Sequence, residues 1–149
     1  MSLRTLEAHD NRLRRLNRDA THHSMIGILR SAYRAELLAA SGAIAGGDTE
    51  SAFRHLGRAH IISQRYTWQH VHVHWLMLKL GASTGDWREV LGQLSRIIAA
   101  TFFSRIWVPV GNTGRADVSA MRPMPIPEDL RVLLERGDPA AQARSQSLR

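Results

Sequence analysis

The feature that most constrains the fold is a turn that returns. Gly47 and Asp48 reappear as Gly85 and Asp86 thirty-eight positions later, and each pair separates two stretches with helical spacing. A glycine just past one helix takes the left-handed conformation that other residues resist, and an aspartate beside it caps the next helix. Before the first turn, Ile26, Leu29, Tyr33, Leu37, Ala40 and Ile44 recur every three or four positions, a helical stripe over Met25 to Ala45. After it, Ala52, Phe53, Leu56, Ala59 and His60 line one side of a second helix, from Thr49 to about Ser63. Asp86 with Glu89 has the form of a capping box. It opens a helix from Trp87 to about Phe103, whose predicted buried positions are Val90, Leu91, Leu94, Ile97 and Ile98.

Superimposing the turns pairs Ala52 with Val90, Leu56 with Leu94 and Ala59 with Ile97, so one helix hairpin is used twice. The spacing resembles tetratricopeptide units, although their aromatic and proline signatures are missing. Two units are too few for a free solenoid. The predicted fold is therefore all-α, a compact bundle of two tetratricopeptide-like hairpins. A Pro/Gly-rich segment follows, with Gly111, Asn112 and Gly114 in an irregular loop and Pro123, Pro125 and Pro127 imposing extended geometry. Pro127 suits the first turn of a short terminal helix ending at Gly137. The expected organisation is an extension over residues 1–24, partly helical or disordered, a helical domain over 25–137, and a disordered tail over 138–149.

A chain of 149 residues fits one domain with a real core. It has no cysteine, so thiolate ligands and thiol nucleophiles are excluded, and any metal site must use nitrogen and oxygen. The formal charge is +7. Lys79 is the only lysine, and the arginines are scattered, with one modest cluster at Arg12, Arg14, Arg15 and Arg18. A nucleic-acid module would concentrate its charge on a face, so nucleic acid is not the expected partner. No signal-peptide core and no apolar run near the ~18 residues of a membrane span occurs, so the expectation is a cytoplasmic protein. No catalytic motif is present. As an enzyme, the chain would have to use Glu36 or a metal-bound water as general base, and nothing names a substrate.

The densest chemistry lies in Thr67 to Leu80, where His70, His72 and His74 sit between Trp68 and Trp75. Alternation with Val71 and Val73 would fit a strand with three imidazoles on one face. The hairpin repeat instead makes this stretch the first helix of the second unit. On a helix His70 and His74 lie within about 40° of each other, and His72 points nearly opposite, beside Lys79. Two imidazoles at i and i+4 can share one ion. His60, on the apolar face of the second helix, and Glu36, among Ala39, Ala40 and Ala43, are the candidate partners, because a carboxylate among alanines must be paired or bound. Glu36 and His74 each stand twelve residues before a turn aspartate.

The predicted metal site is therefore Glu36, His60, His70 and His74, holding a divalent transition ion such as zinc, iron, manganese or copper(II). The alternative is an interaction module, with hairpins offered to a protein partner, hydrogen-bonded interior histidines, and Glu36 paired with an arginine such as Arg65. Trp68, Trp75 and Trp87 are expected in the core, and His9 and His55 on the surface. Asn112 with the Gly111 to Gly114 turn would recognise an anion, close over the histidine end of the bundle, or serve as a plain loop.

The segments AFRHLGRAHIISQ, HVHVHWLMLKL, DWREVLGQLSRI and VPVGNTGRADVSAMRPMPIPEDL resemble a bacterial family known only as domain of unknown function thirty-seven-oh-three. The resemblance covers roughly Ile28 to Leu134. It implies an association with metal handling without identifying the ion. The chain departs from the family's pattern at Arg115 and Asp117, where glycine and asparagine are expected.

Overall fold

The computed structural model describes residues 27–103 and 110–137. Among them are five helices and no strand: α1 over 27–45, α2 over Thr49–Ser63, α3 over Thr67–Thr84, α4 over Trp87–Phe103 and α5 over Glu128–Arg136. The extension over 1–24 and the tail over 138–149 lie outside the described residues. The all-α expectation holds, with α1–α2 and α3–α4 as successive hairpins.

The two turns are built alike. Gly47 and Gly85 are left-handed, at φ of 75° and 74°. The Asp48 N–H donates to the Ala43 carbonyl at 2.9 Å and the Asp86 N–H to the Gly81 carbonyl at 2.8 Å, so carbonyls left over at each helix end are satisfied. Asp48 Oδ1 then accepts from the Ser51 N–H at 2.9 Å, and Asp86 Oδ1 from the Glu89 N–H at 3.0 Å. The second half of the expected capping box does not form. The Glu89 carboxylate turns away from the Asp86 backbone and into the protein, accepting from Gln93 Nε2 at 2.7 Å and the Ala116 N–H at 3.0 Å.

Two apolar clusters hold the helices. Ala40 of α1, Ala52, Phe53, Leu56 and Ala59 of α2, and Val73, Met77 and Leu80 of α3 form one. Leu29, Ile61, Ile62 and Leu130 form the other, which docks α5 on the ends of α1 and α2. The segment between α4 and α5 lies across α2 and α4. Thr113 rests on Gly57, Gly114 on His60, and Ala116 on Gly92, while Arg96 Nη2 donates to the Val118 carbonyl at 2.6 Å.

α4 corrects one expectation. Leu91, Leu94 and Ile98 are exposed, and the buried face is Glu89 and Gln93 instead. That face meets α3 and the loop, where buried carbonyls, N–H groups and an imidazole need hydrogen-bonding partners that leucine could not provide. The tryptophans are a second correction. Trp68, Trp75 and Trp87 are all exposed. α3 buries His70, Val73, His74, Met77, Leu80 and Gly81, which leaves Trp68, His72, Trp75 and Lys79 on its outward stripe.

Candidate metal centre

Three helices and one loop enclose the histidines. α2 presents His60 and α3 presents His70 and His74 one turn apart, all three at most 4% exposed. Their Nε2 atoms converge on a triangle. His60 to His70 is 2.7 Å, His60 to His74 is 3.2 Å and His70 to His74 is 3.2 Å. A tetrahedron of nitrogens at zinc–nitrogen distance has edges of about 3.3 Å, so the triangle is close to one face of such a polyhedron.

The protons on two rings are fixed by their neighbours. His60 Nδ1 lies 2.8 Å from the Asn112 backbone carbonyl, which can only accept. His74 Nδ1 lies 2.6 Å from Gln93 Oε1. The Gln93 amide cannot be turned round, because its nitrogen already donates to Glu89 Oε1 and to the Gly114 carbonyl, each at 2.7 Å. Both Nδ1 atoms therefore carry hydrogen, and the Nε2 atoms of His60 and His74 present lone pairs to each other. While the rings are neutral, His70 can supply at most one proton to the triangle. At least one pair of lone pairs then faces across 3.2 Å with nothing between, an arrangement a cation would relieve.

Burial keeps the rings neutral. Desolvation, followed by the repulsion of charged forms of His74 and His70, pushes His60 well below its usual pKa. Burial lowers His70 to about 4. Desolvation and then His70 lower His74 to about 3, against the opposing hydrogen bond to Gln93. Neutral imidazole is the form that ligates metals.

The loop is shaped to this cluster. Gly114 has φ +78°, and a Cβ there would lie 2.8 Å from His60 Nε2. Its backbone thus lies against the edge of His60 that faces the triangle. Asn112 braces the loop. Its Nδ2 donates to the Ser119 and Arg122 carbonyls at 2.9 and 2.7 Å, and its Oδ1 accepts from the Gly114 N–H at 2.9 Å. Of the roles considered for this turn, closing over the histidine end of the bundle is the one its contacts perform. The Arg115 guanidinium leaves the cluster and lies over the Phe53 ring, 4.1 Å from its centroid. Arg115 thus stacks on Phe53 with its Nε 3.8 Å from Glu89 Oε2, while the neighbouring Gly114 backbone lies against His60 and the Ala116 N–H donates to Glu89.

Three of the four predicted residues come together, and the fourth does not. Glu36 turns to α2, where Oε1 accepts from Arg58 Nε at 2.6 Å and Oε2 lies 2.8 Å from His55 Nδ1. The first helices do touch, with Tyr33 Oη 3.0 Å from His72 Nδ1. Glu36 lies about 60° round α1 from Tyr33, on the side facing α2. The arginine pairing belongs to the alternative reading, with Arg58 in the place expected for Arg65. His55 is partly buried against this carboxylate. Gln93, Glu89 and the Asn112 carbonyl were missed. The only signal for the first two was their i, i+4 spacing on α4, and a backbone carbonyl carries none.

Fold and site together define a small all-helical protein with a closed triad of neutral histidines. Residues 28–134 match the family described as "Protein of unknown function (DUF3703)", and the chain belongs to that family. No curated protein and no solved structure matches it. Among the described residues no helix is long and apolar enough to cross a membrane.

Proposed function

We propose that this protein binds one divalent transition-metal ion through Nε2 of His60, His70 and His74, in a role of metal handling. The observation that carries the reading is the triangle of Nε2 atoms at 2.7 to 3.2 Å, with the outer nitrogens of His60 and His74 held by acceptors. Ligating histidines ordinarily donate their second N–H to a carbonyl or carboxylate, which fixes the tautomer and raises basicity. Glu36, engaged by Arg58 and His55, is left out of the ligand set.

An all-nitrogen donor set suits zinc, copper(II) and iron ahead of manganese, which prefers oxygen. Three protein ligands leave a position for water or for a group on a donor or acceptor of the ion. With the site closed by Gly111 to Gly114, loading requires that loop to lift, which fits storage or transfer better than rapid exchange. Elemental analysis of untagged protein tests this. The expected result is about one metal per chain, abolished when His70 and His74 are both replaced by alanine. Protein that binds no transition metal at micromolar concentration would overturn the reading.

A further inference from the structure

The outer face of α4 carries Trp87, Leu91, Leu94 and Ile98, which are 67%, 68%, 50% and 56% exposed. At 100° per residue the four fall within about 60° of one another, along about 16 Å of helix. Scattered apolar residues on a surface need no explanation, but a continuous row does. The spacing is four, three, four, the alternation by which helices seat against one another in a coiled-coil seam.

We infer that this stripe is a homodimer interface, in which α4 packs antiparallel against α4 of a second copy about a two-fold axis. The spacing reads the same in both directions. An antiparallel pair therefore sets Trp87 against Ile98 of the second copy and Leu91 against its Leu94, with every apolar residue matched. An antiparallel isologous pair requires this self-complementarity. A parallel pair or an unrelated partner would not.

Charge points the same way. Among the described residues of α4, Arg88 is the one charged residue flanking the stripe on the helical wheel, where Val90, Ser95 and Thr101 are the other near neighbours and Glu89 and Arg96 lie on the far side of the helix. Two chains of formal charge +7 repel one another. Pairing is therefore confined to this strip and strengthens as salt screens the repulsion, whereas attraction to an acidic partner would weaken. The four side chains expose roughly 500 Å² in one copy, so the pair buries on the order of 1,000 Å². That is at the lower limit for a specific interface, so the dimer is expected to be in equilibrium with monomer.

Sedimentation of the full chain from about 1 to about 200 µM at two salt concentrations tests this. The expected result is a monomer–dimer equilibrium that shifts toward dimer at higher salt. Leu91→Glu should weaken it by at least roughly 30-fold. Trp87→Ser serves as a second variant should the charge disturb folding, and circular dichroism checks both. Because the chain has no cysteine, a mixture of Leu91→Cys and Leu94→Cys proteins should oxidise to the mixed disulfide in preference to either self-pair. A monomer at the highest concentration, or a dimer that Leu91→Glu and Trp87→Ser leave intact, overturns the inference. So does a monomer whose Leu91→Cys thiol resists alkylation, since residues of the same chain would then cover the stripe.

Discussion

Lowering the pH from 7 to 5 offers the histidine cluster protons that it cannot accept while folded. In an unfolded chain each imidazole titrates near 6.5. In the fold, burial holds His70 at about 4 and His74 at about 3, and His60 lies well below its usual value. Below pH 6.5 the unfolded chain therefore binds protons that the folded chain refuses. Stability is full above that pH and is lost as the pH falls toward 4. The loss is about 1.4 kcal/mol per pH unit for each histidine. Between pH 7 and pH 5 this amounts to about 2 kcal/mol per ring, or about 4 kcal/mol for His70 and His74 with His60 adding in the same direction, comparable with the whole stability of a small domain. Urea unfolding of chelator-treated protein at pH 7, 6 and 5, followed by far-UV circular dichroism, measures it directly. His70→Gln should remove about a third of the slope. A bound metal should add stability at pH 7 by mass action, and that gain should shrink as protons compete for the same nitrogens. A slope equivalent to less than one proton between pH 6.5 and pH 5 would refute the claim that three neutral rings are sealed inside.

Gly114→Ala and Gly85→Ala separate the site from the backbone. Both positions are left-handed, so each costs roughly 1–2 kcal/mol, but only at Gly114 would the new methyl lie 2.8 Å from His60 Nε2. Metal affinity measured by competition with a chelating dye should fall for the first variant and hold for the second. Gln93→Leu keeps the approximate bulk but removes the acceptor for His74 Nδ1. It should weaken the metal by about 10–100-fold, and also destabilise the chain, because the Gly114 carbonyl and Glu89 lose their donor. Glu36→Gln should leave metal binding unchanged in the same titration, while thermal unfolding shows a loss of about 1–3 kcal/mol from the half-buried Arg58 and His55 contacts.

What could be read from the residues alone was what local chemistry decides. A left-handed glycine followed by a capping aspartate behaves the same wherever it occurs, so both turns, and with them the hairpins, followed from Gly47–Asp48 and Gly85–Asp86. His70 and His74 followed from helix geometry, and His60 from an apolar face that had no other use for an imidazole. Periodicity failed on α4 because that helix has two faces of opposite character, and hydrophobicity selects only one of them. The inner face carries Glu89 and Gln93, and each of their buried polar atoms is spent on the loop, on His74 or on the other. An apolar inner face would have left the His74 N–H and the Gly114 carbonyl unpaired in the interior, at about 1–3 kcal/mol each. The polar face is thus what lets a histidine cluster be buried at all. The displaced leucines then have no place except the outside, so the same demand that buries the histidine cluster leaves α4 with an exposed apolar stripe. On this argument the centre and the proposed dimer seam are two faces of one helix with one cause. They remain separable by experiment, because Leu91 is 68% exposed and lies about 160° round α4 from Gln93.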